Sequence, residues 1–234
     1  MIQRADRVTV QTATEARAVE RIGVPSERVV TQGLGVEPGE CTGGNREQAR
    51  TRWGIGPDEI VVGHLANMSF EKGTPDLLAA VESARGSGLK IRALLAGPTM
   101  PSLRWYWKFG MDDWITNLGP IDDADRRDFF AAIDVFALPS RSDSFGLVFL
   151  EAWANEVPVI GYRAGGVADV IRHEQDGLLA GCGDLDGLAK AILRLAKDPA
   201  LRLEWGRAGR DRLPVEFRWE DKLRIAADAI TNWG

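Results

Sequence analysis

Two carboxylates with seven residues between them, Asp143 and Glu151, flank a glycine at the start of an apolar helical stretch. The segment reads Pro139-Ser140-Arg141-Ser142-Asp143-Ser144-Phe145-Gly146-Leu147-Val148-Phe149-Leu150-Glu151-Ala152, and Ser144 is placed to cap the helix. Free N–H groups of Phe145, Gly146 and Leu147 would project from a positive helix end, which favours an anion. Gly146 lets a ligand approach the backbone closely. Helical spacing surrounds Glu151 with Leu147, Val148, Ala154 and Asn155, a mostly apolar setting in which a carboxylate needs a donor. A vicinal diol, such as a nucleotide ribose, would supply two donors; a salt bridge to lysine or arginine is the plainer alternative. Asp143 on its own also reads as a turn or capping residue.

The elements that must hold these groups alternate along the chain. Short β-branched or apolar runs at 8–12, 28–31, 60–64, 91–96, 114–118, 135–138, 157–161 and 177–180 predict strands. Helical patterns at 14–22, 46–53, 74–85, 123–133, 145–155, 167–172 and 185–197 separate or follow them. Continuous apolar runs such as Ile60-Val61-Val62 and Ala93-Leu94-Leu95 suit strands covered on both faces. The alternation predicts an α/β fold with a doubly wound, Rossmann-like parallel sheet, whose ligands bind beyond the carboxyl ends of the strands. Two further helices at 199–210 and 220–233 form a helical C-terminal tail. The Gly/Pro-rich run at 33–39 reads as a linker. The expected division is residues 1–40 as a remnant of a preceding domain with its linker, 41–215 as the binding domain, and 216–234 as a C-terminal helix that packs on that preceding domain.

Composition narrows the partners. The 234 residues are 44% hydrophobic and 27% charged, as in ordinary globular proteins, and the formal net charge is -5. An acidic chain argues against a nucleic-acid partner, and against more than peripheral membrane association. The N-terminus has no apolar stretch like a signal peptide, and no window reaches the roughly 20 apolar residues of a membrane span. Two scattered cysteines, Cys41 and Cys182, fit a reducing, cytoplasmic setting. The two histidines lack ligand partners at metal spacing, so no metal is expected. The strings Asp123-Ala124-Asp125 and Asp184-Leu185-Asp186 read as helix starts rather than metal ligands.

The segment from Asp143 to Glu151 resembles the E-x7-E motif of family 4 of the retaining glycosyltransferases, which usually reads Glu-x-Phe-Gly-Leu/Met and ends in Glu-Ala. The likeness extends over nearly the whole chain. Gly63-His64-Leu65 with Glu71-Lys72-Gly73 resembles the family's Gly-Arg-Leu and Lys-Gly pair, which brackets the donor diphosphate. Asn117-Leu118-Gly119-Pro120 resembles the strand end that meets the nucleobase, and Gly165-Gly166-Val167-Ala168-Asp169 the Gly-Gly loop near the phosphates. The stretch from Ala5-Asp6-Arg7-Val8 to Gly35-Val36 is similar to the last strand and helix of the family's N-terminal domain and the interdomain crossover. Five such pieces in order, each tied to a predicted strand, make the likeness specific.

The resemblance implies the C-terminal, donor-binding half of a GT-B fold and a substrate that is a nucleoside-diphosphate sugar, UDP- or GDP-linked, with no cofactor. Lys72, Asp143 and Glu151 would be its catalytic residues. Donor contacts would come from His64, Lys72, Gly119, Pro120, Arg141, Asp143, Phe145, Gly146, Leu147, Glu151, Gly165 and Gly166. The implied reaction is metal-independent, retaining hexosyl transfer to an acceptor hydroxyl. The acceptor site would lie in the missing N-terminal domain or a partner chain, which leaves this chain alone weak or inactive. Three positions depart from the family's pattern: Asp143 and Asp169 stand for its usual glutamates, and His64 for its common arginine. A diphosphate would favour a charged imidazole at His64, and Lys72, Arg141 or Arg163 would replace the missing cation. Rival readings are a sugar-nucleotide epimerase or hydrolase of the same fold, or a non-catalytic nucleotide-sugar-binding module. The cluster Trp105-Tyr106-Trp107 with Lys108, Phe109 and Trp114 reads as packing over a sheet edge rather than a membrane anchor. Trp219 and Trp233 on the last helix would pack against the missing domain.

Overall fold

The computed structural model describes residues 2–104 and 112–231. In chain order the elements are β1 (Val8–Val10), α1 (Ala13–Arg21), β2 (Val29–Thr31), α2 (Pro38–Cys41), α3 (Arg46–Arg52), β3 (Ile60–Leu65) and α4 (Thr74–Arg85). There follow β4 (Ile91–Ala96), α5 (Pro101–Arg104), β5 (Ile115–Asn117), α6 (Asp123–Ala132), β6 (Val135–Leu138), α7 (Leu147–Ala154) and β7 (Val159–Tyr162). The chain closes with α8 (Val167–Val170), β8 (Gly177–Ala180), α9 (Leu185–Lys197), α10 (Pro199–Glu216) and α11 (Trp219–Thr231).

Six strands form one parallel sheet in the order β5-β4-β3-β6-β7-β8, and β1 pairs with β2 in a separate parallel pair. The expected doubly wound sheet is present. Its strand order reverses between β3 and β6, and a crevice opens at such a reversal beyond the strand ends. Period-two alternation sends successive side chains to opposite cores. Phe136 and Leu138 of β6 join the cluster under α6 and α7, whereas Val135 and Ala137 join the one under α4 and α9. Leu188, Ile192 and Leu195 on α9 recur at helical spacing and are fully buried.

Helix α7 is shorter than its apolar pattern suggests. It begins at Leu147, because Gly146 adopts a left-handed conformation (φ 81) and caps the helix without a side-chain bond. Ser144 therefore does not cap it. The opposite difference occurs in α10, which runs past the expected end at 210 to Glu216 with Pro214 in its last turns. Helices α2 and α5 were not evident as periodic patterns, being four residues each, and α2 spans the boundary expected at 40/41. The aromatic run at 105–109 and Trp233 lie outside the described residues, while Trp114 is buried beneath Arg85, whose guanidinium lies 5.4 Å from its ring centroid. Among the described residues no helix is long and apolar enough to cross a membrane.

Arg212 pins α10 to the sheet. Its guanidinium lies over the Trp153 and Phe217 rings, donates to the Val170 carbonyl at 2.9 Å, and pairs with Asp176, which is 1% exposed. Removing one member of such a pair leaves a buried charge without compensation. Arg212→Met is expected to cost about 3 kcal/mol of stability, read by urea unfolding at neutral pH. Arg212→Met combined with Asp176→Asn should recover part of that loss.

Candidate active site

The loops that carry Lys72, Gly119–Pro120, Asp143 and Gly165–Gly166 follow β3, β5, β6 and β7, at the carboxyl rim of the sheet. The loops after β3 and β6, on either side of the strand reversal, are fastened to each other. The Arg141 N–H donates to the Glu71 carbonyl at 2.8 Å, and the Ser142 hydroxyl to the Glu71 carboxylate at 2.8 Å. Gly73 has φ 68, and a Cβ there would lie 2.0 Å from the Pro139 carbonyl oxygen, so no other residue fits without moving the loop. This contact sets Lys72 beside Asp143, with Nζ 2.7 Å from Oδ2 and both side chains partly accessible. One of the three ammonium donors is thereby used, and two remain for a ligand.

A second pair lies along the same rim. Glu151, in the second turn of α7 and 7% exposed, accepts through Oε1 from Arg126 in the first turn of α6. Its other oxygen, Oε2, is buried without a hydrogen-bond partner. Both alternatives for Glu151 thus have a physical basis: a salt bridge on one oxygen and an open acceptor on the other. Burial raises the carboxyl pKa of Glu151, against the opposing effect of the guanidinium. Helix α6 connects the end of β5, where the Gly119–Pro120 turn lies, to β6, whose end leads to Asp143. Gly119 has φ 67 and open space where a Cβ would stand, while its carbonyl accepts from the Gly97 N–H at 2.7 Å.

Several expected site residues have other places. His64 is fully buried, with Nδ1 3.0 Å from the Ala137 carbonyl and Nε2 3.0 Å from the Thr74 hydroxyl. A carbonyl only accepts, so Nδ1 carries the proton and Thr74 donates to Nε2. Burial pushes the imidazole pKa down to about 4, so the ring is neutral near pH 7 in the chain without a ligand. The Phe145 ring is buried edge-on to Phe217, so the side chain belongs to the core and only its backbone N–H remains for a ligand. Gly165 and Gly166 serve close backbone packing: Cβ atoms there would meet the carbonyl oxygens of Asp143 and Ser144 at 2.2 and 1.9 Å. Asp169 turns towards the N-terminal segment, accepting from the Thr14 N–H at 2.7 Å in the first turn of α1. Arg141 is exposed but paired to Asp76 at 2.6 Å, and the Tyr162 hydroxyl donates to the same carboxylate oxygen. Leu147 is exposed at the start of α7, where the free helix amides are.

Arg126 and Asp76 were missed in the sequence. A signal for Arg126 exists, since it occupies the apolar stripe of α6 together with Phe129 and Phe130, both fully buried. The two D-x-D strings lie at helix starts: Asp122 caps α6, Asp125 pairs with Arg52, and Asp184 caps α9. Among the described residues no cluster of three or more His, Cys, Asp or Glu side chains is arranged to hold a metal ion.

Comparison with known proteins places this chain in a family. The model of the glycosyl transferases group 1 matches residues 45–212. The D-inositol 3-phosphate glycosyltransferase of Saccharomonospora viridis is 31% identical over 246 residues, which cover 99% of this chain and 56% of that protein. A GDP-mannose-dependent alpha-(1-6)-phosphatidylinositol monomannoside mannosyltransferase of Mycobacterium tuberculosis is 30% identical, covering 79% of this chain and 50% of that one. Among solved structures, Anabaena HepE in complex with UDP and glucose superposes with a TM-score of 0.87 at 21% identity, covering 97% of this chain and 64% of its own. That likeness is one of fold. The chain spans about half the length of the curated relatives it matches.

Burial of a neutral His64 has a consequence for stability. Between about pH 6.5 and about 4 the unfolded chain takes up a proton at His64 that the folded chain refuses, so stability should fall with pH across that window. His64→Asn retains a donor for the Ala137 carbonyl and does not titrate. Denaturant unfolding at both ends of the window should show a smaller loss for this variant than for the wild type; equal losses would exclude the assignment.

Proposed function

The chain belongs to the group 1 glycosyl transferases, and on that premise we propose that it forms the donor-binding half of an enzyme that moves a hexosyl group from a nucleoside-diphosphate sugar to an acceptor hydroxyl. The observation that supports this reading most is the Lys72–Asp143 pair at the strand reversal, in the loop that leads into the start of α7. A diphosphate seated there meets two spare ammonium donors and a positive helix end. As the bond to the sugar breaks, charge grows on the departing phosphate oxygen, and fixed donors aimed at that oxygen lower the barrier. Asp143 uses Oδ2 for Lys72, and its Oδ1 is left for a donor-sugar hydroxyl. Glu151 offers Oε2 to the ribose, and the Gly119–Pro120 turn borders the base. The scheme requires no metal, because lysine and helix amides carry the positive charge, and transfer would proceed with retention at the anomeric carbon.

His64 and Phe145 act in this scheme through support. The hydrogen-bonded series from the Ser69 N–H to Thr74, from Thr74 to His64, and from His64 to Ala137 ties the loop that carries Lys72 to β6. Relatives whose names specify GDP-mannose and structural neighbours crystallised with UDP leave both bases in play for this chain. The division into 1–40, 41–215 and 216–234 belongs to the same proposal. Trp219, 41% exposed, sits with its backbone against Gly35, beside the segment that would lead into an acceptor-binding domain.

Calorimetric titration of the chain with UDP, GDP and ADP, in buffer containing a chelator, tests the reading. One of the three should bind, and Lys72→Ala should weaken that binding about tenfold or more, as expected for loss of a charged hydrogen bond. Unchanged affinity in the variant would remove Lys72 from the phosphate site. Absence of binding by all three would remove the donor-site reading for this chain.

A further inference from the structure

We infer that Arg126 is a positioning residue: it holds Glu151 as an anion and turns it so that Oε2 alone is offered to the ligand. The inference rests on the nucleotide-sugar reading of the rim and adds a residue that this reading did not include. Four observations carry it. Arg126 reaches Glu151 Oε1 and leaves Oε2 buried with nothing to accept from. A pair retained for packing alone would satisfy both oxygens, because a buried acceptor without a donor destabilises the fold.

The neighbours of Glu151 do not supply the missing donor. The Asn155 amide donates to the Glu151 backbone carbonyl at 2.9 Å and to the Cys41 carbonyl at 3.0 Å, and the Cys41 thiol lies against the carbonyls of Glu37 and Pro38. Helix α6 does not need Arg126 as an anchor either. Phe129, Phe130 and Ala132 bury its inner face, and Arg52 pairs with Asp125 and Asp128 on its outer side. Finally, both side chains lie in the first two turns of helices that begin at the carboxyl rim of the sheet, the end where the Lys72–Asp143 pair lies.

The charged and titratable groups facing Glu151 are the Arg126 guanidinium from α6 and the Cys41 thiol from α2. Burial and the Glu151 charge push that thiol up to about 11, and a guanidinium keeps its charge throughout, so neither changes state near neutrality. Without the guanidinium, the effect that opposes burial at the Glu151 carboxyl is lost, and its pKa would rise further. A protonated carboxyl is a weaker acceptor for a ribose hydroxyl than an anion is.

The test compares wild type, Arg126→Met, Arg126→Lys and Arg126→Met with Glu151→Gln, using whichever of UDP, GDP or ADP binds the wild type. At each pH the ratio of variant to wild-type Kd removes the ligand's own ionisation. The ratio for Arg126→Met should be about tenfold or more at the acidic end of the range over which the wild type stays folded, and shrink as pH rises. Arg126→Lys should restore a flat ratio, and the double variant should show a loss that does not depend on pH. A flat ratio for Arg126→Met, or equal pH dependence with Gln at 151, overturns the inference. Should Arg126→Met fail to fold, Arg126→Gln carries the same expectation, since it retains a donor without the charge. Wild-type protein that binds none of the nucleotides defeats the donor-site reading itself, an outcome distinct from a flat ratio.

Discussion

Backbone-to-backbone contact between three loops at the strand reversal is the constraint on which the rest of the site depends. Side chains as flexible as lysine cannot be aimed by their own torsions, since each rotatable bond multiplies the positions the ammonium can take. Here Gly73 abuts the Pro139 carbonyl, the Glu71 carbonyl accepts from Arg141, and Gly165 and Gly166 abut Asp143 and Ser144. Those contacts leave the loops after β3, β6 and β7 little freedom to move separately. Lys72 and Asp143 then meet at 2.7 Å because their backbones are already placed, and the ion pair records that placement rather than causing it.

Buried polar groups in this molecule fall into two kinds, and the difference separates support from site. Asp176 accepts from Arg212 and from the Arg172 N–H, while its carbonyl accepts from the Trp153 indole. His64 uses both ring nitrogens. Each is saturated, so each fixes structure and has nothing left for a ligand. Glu151 is the contrasting case, desolvated but only half paired. The fold tolerates that cost at a rim where a hydroxyl can arrive to complete the set.

Much of the architecture was legible in the sequence because burial on both faces writes apolar runs, and the carboxyl end of each run then locates the rim. Ile60-Val61-Val62 and Val135–Leu138 were placed within a residue or two. Boundaries set by single backbone torsions were less legible: Gly146 delays α7, and its left-handed φ depends on the loops around it. Side-chain roles were harder still. Alternation along β3 puts His64 on the same face as Val62, which was enough to foresee a buried ring, but a family likeness drew attention to its phosphate-facing counterpart. Arg126 was hidden for a different reason. It and Glu151 are 25 residues apart, and only the packing of α6 beside α7 brings them together.

The N-terminal segment is more than an appendage, because its contacts end on the loops that shape the rim. Asp169 accepts from the Thr14 N–H and lies 3.8 Å from Arg17, so the positive start of α1 is met by a carboxylate from α8. Thr12 fills the space beside Gly166, the residue whose N–H donates to the Asp143 carbonyl. On the other side, Val36 donates to the Phe217 carbonyl, and Phe217 packs against Phe145 in the loop before α7. A displacement of β1 and α1 relative to the sheet must therefore either break these bonds or move the loop that holds Asp143. Small, dense contacts of this kind transmit displacement better than they absorb it. The geometry of the Lys72–Asp143 pair is in this way coupled to the position of β1 and α1.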